Sequence, residues 1–456
     1  MQDKAIIAQI DRHIEQNVPQ FLDLLARLCA QPSVSAQNLG IEECAALVAD
    51  ILQAQGFAAD IMPSAGYPVV FGTGSGASER TLLFYLHYDV QPPEPLELWD
   101  SPPWEMTRRG DQFFARGISD DKGHIIVRLA ALAAVRAVLG ELPCRVKFVI
   151  EGEEEIGSPS MEQFVDTHRD QLAGNACIWE FGGVNLFGAP TQMLGMRGIT
   201  YVELSVRVAN RDIHSGLGGS IMPNAAWRLA WALGTLKDAQ ENVLIPGFYD
   251  DVLPPTYRDL ELLATLPDES GRYRETYGLD GYLHGLTGGV AWQQQSVFQP
   301  TCTICGLDAG YQGPGSKTVQ PAEASAKIDF RLVPNQSPED IIQKLRAHLD
   351  DQGFADVDMT VYCGEHPARV DPDHPFVQLA VDTGREVYGQ NSVVYPMIGG
   401  SGPLYPFVEY LGVPVVSAGL GYPGNRAHAP NENIRLSDFV NGVKHTARII
   451  TGFAGL

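Results

Sequence analysis

Residues 81–90 read TLLFYLHYDV. A short apolar run, Leu82 to Leu86, meets His87, Tyr88 and Asp89 without a spacer. A run of this length, rich in aromatic and branched side chains, reads as a buried strand of an α/β sheet. The same device recurs along the chain. RVKFVI (145–150) meets Glu151-Gly152-Glu153-Glu154-Glu155, ACIW (176–179) meets Glu180, and VPVVSAG (413–419) precedes a loop holding His428. Asp120 and Asp121 stand just before a long apolar helix predicted at about 123–139. Ligands of open parallel sheets bind beyond the carboxyl ends of the strands. These ends are therefore expected to converge on one edge.

Outward from that frame, helical periodicity runs through Ile6, Ile10 and Ile14 and then Phe21, Leu25 and Leu28, and a second helix over about 42–55 stops at Gly56. Short apolar runs at about 57–62, 68–72, 81–86, 146–150 and 175–179 alternate with helices, which predicts a mainly parallel central sheet. From Ile199 the rhythm changes. Strands are predicted at 201–208, 300–306, 323–332 and 356–363, with helices at 224–236 and 337–351, the latter opened by Ser337 and Pro338. This order reads as a split βαβ sandwich. The Pro-, Gly- and Asp-rich stretch 245–290 reads as irregular. After Pro372 the α/β rhythm returns, with helix 375–387, strand 392–397, helix 404–411, strand 413–418 and helix 436–452. The expected organisation is an α/β catalytic domain of residues 1–197 and 366–456, interrupted by an inserted α+β domain over 198–365.

The chain has 456 residues, 45% hydrophobic and 19% charged, with a formal net charge of −23. That balance supports large cores and opposes binding to nucleic acid or to an anionic membrane surface, which need a basic face. The apolar stretch 125–139 carries Arg128 and Arg136 and is too short for a membrane span. The N-terminus alternates charge with isoleucine and reads as an amphipathic helix, not as a signal peptide. Seven scattered cysteines (29, 44, 144, 177, 302, 305 and 363) point to a reducing compartment. Cys302 and Cys305 form a CxxC without a second pair, so they read as ordinary strand residues.

Taken singly, each polar element has a plain reading: a strand-end histidine, a solvated acidic turn, a helix-capping aspartate, a loop histidine. Their coincidence at several strand ends is another matter, because packed carboxylates repel unless a cation gathers them. Two histidines (His87, His428) and three carboxylates (Asp120, Glu155, Glu180) make a sensible donor set for a pair of zinc ions. A shared carboxylate allows two cations to sit ~3.5–4 Å apart with a bridging hydroxide as nucleophile. Asp89, two residues from His87, suits the imidazole's free N–H. Glu154, beside a ligand, suits proton transfer from water to a leaving nitrogen.

At this point the sequence resembles the M20 family of metallopeptidases, which includes dipeptidases, carnosinases, aminoacylases and related deacylases. The resemblance rests on LHYDV (86–90), RGISDDKG (116–123), EGEEEIGS (151–158), DIHSGLGG (212–219), PGSKTVQP (314–321), FRLVPNQ (330–336), GGSGP (399–403) and AHAPNEN (427–433), in this order. It implies a zinc-exopeptidase-like catalytic domain with an inserted lid and dimerisation domain. It also implies that His87, Asp120 and Glu180 hold one zinc and that Asp120, Glu155 and His428 hold the second, with manganese or cobalt as possible substitutes. Glu154 would be the general base and acid, Asp89 the partner of His87, and the Asp120–Asp121 peptide a strained one. His214 would reach the partner subunit's active site and stabilise the oxyanion, which makes a homodimer the working form. Arg331, Thr318, Ser401 and the backbone of Gly400 would hold the substrate's terminal carboxylate.

The long insert and the stretch CTICGLDAGYQGPGSKTV (302–319) resemble the dipeptidase and carnosinase branch. Glu180 departs from that branch's usual aspartate and matches aminoacylase and carboxypeptidase members. The function expected is a cytoplasmic di-zinc hydrolase of dipeptides or very short peptides. An N-acyl-amino-acid deacylase is the alternative on the same scaffold. A catalytically silent metal-binding or scaffold protein would lack Glu154 or a ligand, and none is missing. The other histidines read as structural or surface residues; His124 lies near the site without a role.

Overall fold

The structure, a computed structural model, describes residues 3–456. In chain order the main elements are α1 (Lys4–Cys29), α2 (Ile41–Ala54), β1 (Ala58–Met62), β2 (Val69–Gly74), β3 (Ser78–His87), α3 (Lys122–Leu139), β4 (Cys144–Glu151) and β5 (Ala176–Trp179). Next come β6 (Gly198–Arg207), α4 (Ala225–Leu233), α5 (Tyr257–Thr265), α6 (Ser270–Tyr277), α7 (Gly289–Phe298), β7 (Thr303–Ala309), β8 (Glu323–Leu332), α8 (Pro338–Asp351) and β9 (Asp358–Glu365). The chain closes with α9 (Pro375–Tyr388), β10 (Val415–Ser417) and α10 (Leu436–Phe453). Two compact units result. The first takes the chain up to Leu194 with Arg369–Pro396 and Pro403–Leu456; the second takes Gly195–Ala368 and Met397–Gly402.

The first unit is built on a six-stranded sheet in the order β1-β2-β4-β3-β5-β10. The pairs β3–β4, β3–β5 and β5–β10 are parallel, as the alternating rhythm predicts. The other two pairs, β1–β2 and β2–β4, are antiparallel, so the sheet is mixed. The difference follows from the connections. A short turn joins β1 to β2, which permits only a hairpin, whereas α3 supplies the crossover that a parallel β3–β4 pair requires. Leu82 to His87 are all buried, as expected of a central strand covered on both faces. Helix α3 packs against α1 and α10 and is buried nearly all round, Arg128 included.

The helix predicted at 404–411 is present over 404–410, widening at Pro406–Tyr410, where the Leu411 N–H reaches back to the Pro406 carbonyl (3.2 Å). Two expectations need correction here. The strand predicted at 392–397 is Val393–Tyr395, and it pairs in parallel with Thr191–Met193 apart from the central sheet. The segment Met397–Gly402 belongs with the second unit, where Met397 joins Leu263 and Phe298 in a small apolar cluster.

The second unit carries a four-stranded antiparallel sheet in the order β7-β8-β6-β9. Alternate residues Val202, Leu204 and Val206 of β6 and Ile328, Phe330 and Leu332 of β8 are buried against Leu229 of α4 and Ile341, Leu345 and Leu349 of α8. That is the split βαβ arrangement with both helices on one face. The stretch read as irregular holds α5, α6 and the start of α7. Its prolines and glycines mark joints between short helices. Thr256 and Asp259 form a reciprocal capping box that starts α5, a local signal outweighed by the composition around it. The seven cysteines are free. Among the described residues no helix is long and apolar enough to cross a membrane.

Candidate active site

The parallel register sets the site. His87 on β3 pairs with Glu151 on β4, and Trp179 on β5 pairs with Ser417 on β10, so four strands end along one edge. Past β4 a tight turn, Glu154–Ile156, turns Glu155 back toward β3. The Asp89 carboxylate secures that turn by accepting the N–H groups of Glu154 (3.2 Å) and Glu155 (3.1 Å). It also lies 3.3 Å from His87 Nδ1, on the far side of the ring from Asp120. Asp120 sits in the loop ahead of α3, and the Asp120–Asp121 peptide bond is cis. His428 has a left-handed backbone (φ 62°), as do Arg426 and Asn431 in the same loop. Such residues cost about 1 kcal/mol or more each. The Asn433 amide, donating to the carbonyls of Gly424 and Asn431, helps to hold the loop in that shape.

Asp120 is the hub. Its Oδ1 lies 3.0 Å from His87 Nε2, and its Oδ2 lies 3.0 Å from His428 Nε2. Glu155 Oε2 stands 3.2 Å from the same His428 nitrogen. Ligand atoms of His87, Asp120 and Glu155 all lie within 4.8 Å of one another. Glu180 follows β5; its Oε1 accepts the Trp179 indole N–H (3.1 Å), and its Oε2 is buried with no hydrogen-bond partner. The structure thus brings His87, Asp120, Glu155 and His428 into direct contact and places Glu180 at the adjoining strand end.

The electrostatics of this edge call for positive charge. Burial opposes ionisation of Asp120, yet hydrogen bonds from His428 and His87 hold its carboxyl well below the usual range. The hydrogen bonds of Asp120 and then Glu155 push His428 up to about 10. Burial disfavours a charged His87, but Asp120 and Asp89 outweigh it and raise the imidazole well above its ordinary value. Burial, followed by repulsion from Glu154, drives Glu180 well above the carboxylate range. Glu154 is pushed up to about 8, chiefly by burial, with Asp120, Glu155 and Asp89 adding to the shift against the pull of His87. Imidazole nitrogens, a shared carboxylate and an orphaned buried carboxylate oxygen are the donor set that a divalent cation of the zinc type satisfies. The residues fit such ions.

Several supporting residues carry no signal readable one at a time. Gln91 directs its side-chain amide to Glu155 Oε2 (2.8 Å) and its backbone N–H to Oε1 (3.2 Å). Asp121 accepts the His87 N–H (3.1 Å), and Arg128 Nη2 donates to the Trp179 carbonyl (2.7 Å) just ahead of Glu180. Of the three only Asp121 adjoins a candidate ligand in the chain. His124 is buried, its Nδ1 has no partner, and its imidazole is lowered by burial and by Arg128.

The remaining predicted residues lie in the second unit. His214 is exposed at the end of the short strand Ile213–His214, which pairs with Val319–Gln320. Its Nδ1 accepts the Gly216 N–H (3.0 Å), which leaves the proton of a neutral ring on Nε2, 3.4 Å from Thr318 Oγ1. Arg331 on β8 donates from Nη1 to Ser401 Oγ (2.7 Å) and from Nε to Asp329 Oδ2 (3.3 Å). Gly399 and Gly400 are exposed, and a Cβ on Gly399 would meet nothing within 4 Å.

Comparison with known proteins places the chain in a family. The model of peptidase family M20/M25/M40 matches residues 83–452. The Beta-Ala-His dipeptidase of Homo sapiens is 28% identical over 462 residues, covering 97% of this chain and 87% of its own. The Cys-Gly metallodipeptidase of Candida albicans is 26% identical and covers 94% of both chains. Among solved structures, an M20 family metallo-carboxypeptidase from Sulfolobus solfataricus superposes with a TM-score of 0.90 at 34% identity, over 96% of this chain and 99% of the other. The motifs first noted at the strand ends, the hub they form and the match across most of the chain lead to one statement: this chain belongs to peptidase family M20.

Proposed function

We propose that this protein is a di-zinc exopeptidase that hydrolyses dipeptides or very short peptides bearing a free C-terminal carboxylate. The observation that carries the reading is Asp120, which offers one oxygen to each of two imidazoles while Glu154 stands beside the cluster. His87, Asp120, Glu155, Glu180 and His428 would hold two divalent cations, which when bound would supply Lewis-acid polarisation of the scissile carbonyl and make water nucleophilic near neutral pH. Glu154 takes a proton from water and returns it to the leaving amine, a task suited to a carboxyl whose affinity for protons is raised by burial. Asp89 orients His87 through Nδ1. His214, with its N–H at Nε2, donates to the developing oxyanion in the partner subunit. Arg331, steadied by Ser401, takes the terminal carboxylate together with Thr318 and the Gly400 backbone. The relatives' names, for β-Ala-His and Cys-Gly cleavage, support small peptides as the substrate class. Zinc suits the donors, with manganese or cobalt as substitutes. Free cysteines agree with a reducing, cytoplasmic setting.

The test is a panel of dipeptides, their C-terminal amides, and N-acetyl and N-succinyl amino acids. Turnover is expected for the free dipeptides and not for the amides. Arg331→Ala should raise KM for the dipeptides roughly 10- to 100-fold, the value of one charge-assisted hydrogen-bonded contact. Hydrolysis confined to the N-acyl amino acids would assign the protein as a deacylase instead.

Action of His214 in trans has its own measurement. His214→Ala and Glu154→Gln should each be inactive alone. Unfolded together in equal amounts and refolded, they should recover about a quarter of wild-type activity, because half the dimers are mixed and each mixed dimer has one intact site. No recovery from correctly assembled dimers would place His214 in its own subunit's chemistry or outside it.

A further inference from the structure

Glu432 lies in the motif AHAPNEN, four residues beyond His428, and has no role in the reading above. Its side chain is fully buried. Oε2 accepts Arg116 Nη1 (2.7 Å) and the Gly117 N–H (2.9 Å), and Oε1 accepts the N–H groups of Ser119 (2.8 Å) and Asp120 (3.0 Å). Both carboxylate oxygens are satisfied, and the buried charge is matched by Arg116, itself 1% exposed. A buried carboxylate this well bonded is costly to disturb, since each N–H it holds would be left unpaired. Gly117 takes a left-handed backbone (φ 78°) to point its N–H inward, and a Cβ there would come within 2.5 Å of Val90 Cγ1.

These bonds join two loops. The Ala115 N–H donates to the Glu432 carbonyl (3.2 Å), and Asn425 Nδ2 donates to Ser119 Oγ (2.9 Å), so residues 115–120 lie against residues 425–432 at several points. One loop carries Asp120 and the other carries His428. His87, by contrast, is held by the sheet and by Asp121. The Glu432 carboxylate is the link that reaches Asp120 itself, and His87 is not among its partners.

We propose that Glu432 is a positioning residue that sets the spacing of Asp120 and His428, and so governs binding of the second metal ion more than the first. The inference rests on reading those two residues as ligands. The test titrates metal-stripped protein with Co2+ and follows visible absorption, alongside thermal unfolding. Wild type taking up two equivalents checks the underlying reading; a single equivalent or none would overturn that reading before Glu432 is considered. Given two, Glu432→Gln should weaken one of the two equivalents by about 10- to 100-fold with the other nearly unchanged, the usual size of an outer-shell effect. Glu432→Asp keeps the charge and the Arg116 pairing, and should show the same order of effects in smaller measure; it also serves if the glutamine variant does not fold. A lowered melting temperature with both equivalents bound as in wild type would overturn the proposal, as would equal weakening of both.

Discussion

Glu154→Gln should retain wild-type metal content and fold while kcat falls by roughly a hundred- to ten-thousand-fold. The amide has the shape of the acid and cannot carry its proton. Glu154 lies beside Glu155 in the turn after β4, and that turn is secured through backbone N–H groups given to Asp89, which the substitution leaves in place. The carboxyl has a raised proton affinity, first because it is partly withdrawn from water and then because Asp120, Glu155 and Asp89 surround it. Cations bound alongside would pull that value down toward the working range. Metal analysis with steady-state kinetics decides the matter. Comparable turnover in the variant would remove Glu154 from the chemistry, and a parallel loss of metal would make it a ligand.

The second large effect is expected from Asp120→Ala, and it differs in kind. Here activity should fall below detection because the metal is lost. Each Asp120 oxygen serves a different histidine, at 3.0 Å in both cases, so one substitution takes a donor from both halves of the centre. Elemental analysis after dialysis should find the bound metal reduced well below the wild-type stoichiometry. Retention of the full complement would mean that the carboxylate is not shared. Together the two variants separate proton transfer from metal assembly: both lose rate, and only Asp120→Ala loses metal.

Much of this was legible in the chain itself. The apolar strands ending abruptly in His87, Glu151 and Glu180 announced a sheet edge, because a strand's last inward residues must meet the ligand space beyond it. Ser337-Pro338 marked the start of α8 by local chemistry alone, and the Ser337 hydroxyl does accept the Asp340 N–H (3.3 Å). Short elements were harder to read. The helices α5 and α6 rest on a few residues each, where periodicity has too few repeats to register.

Local pattern along the chain sufficed for the donor types, the strand ends that bear them and the switch from an α/β to an α+β rhythm, since those follow from periodicity and the chemistry of single side chains. Only the tertiary structure decided which partners meet. That Gln91 braces Glu155, that Asp121 holds the His87 N–H, and that Glu432 carries the N–H groups beneath Asp120 are contacts between segments as much as 312 residues apart. A hydrogen bond depends on distance and direction in space, and sequence separation holds neither until the sheet has set its register.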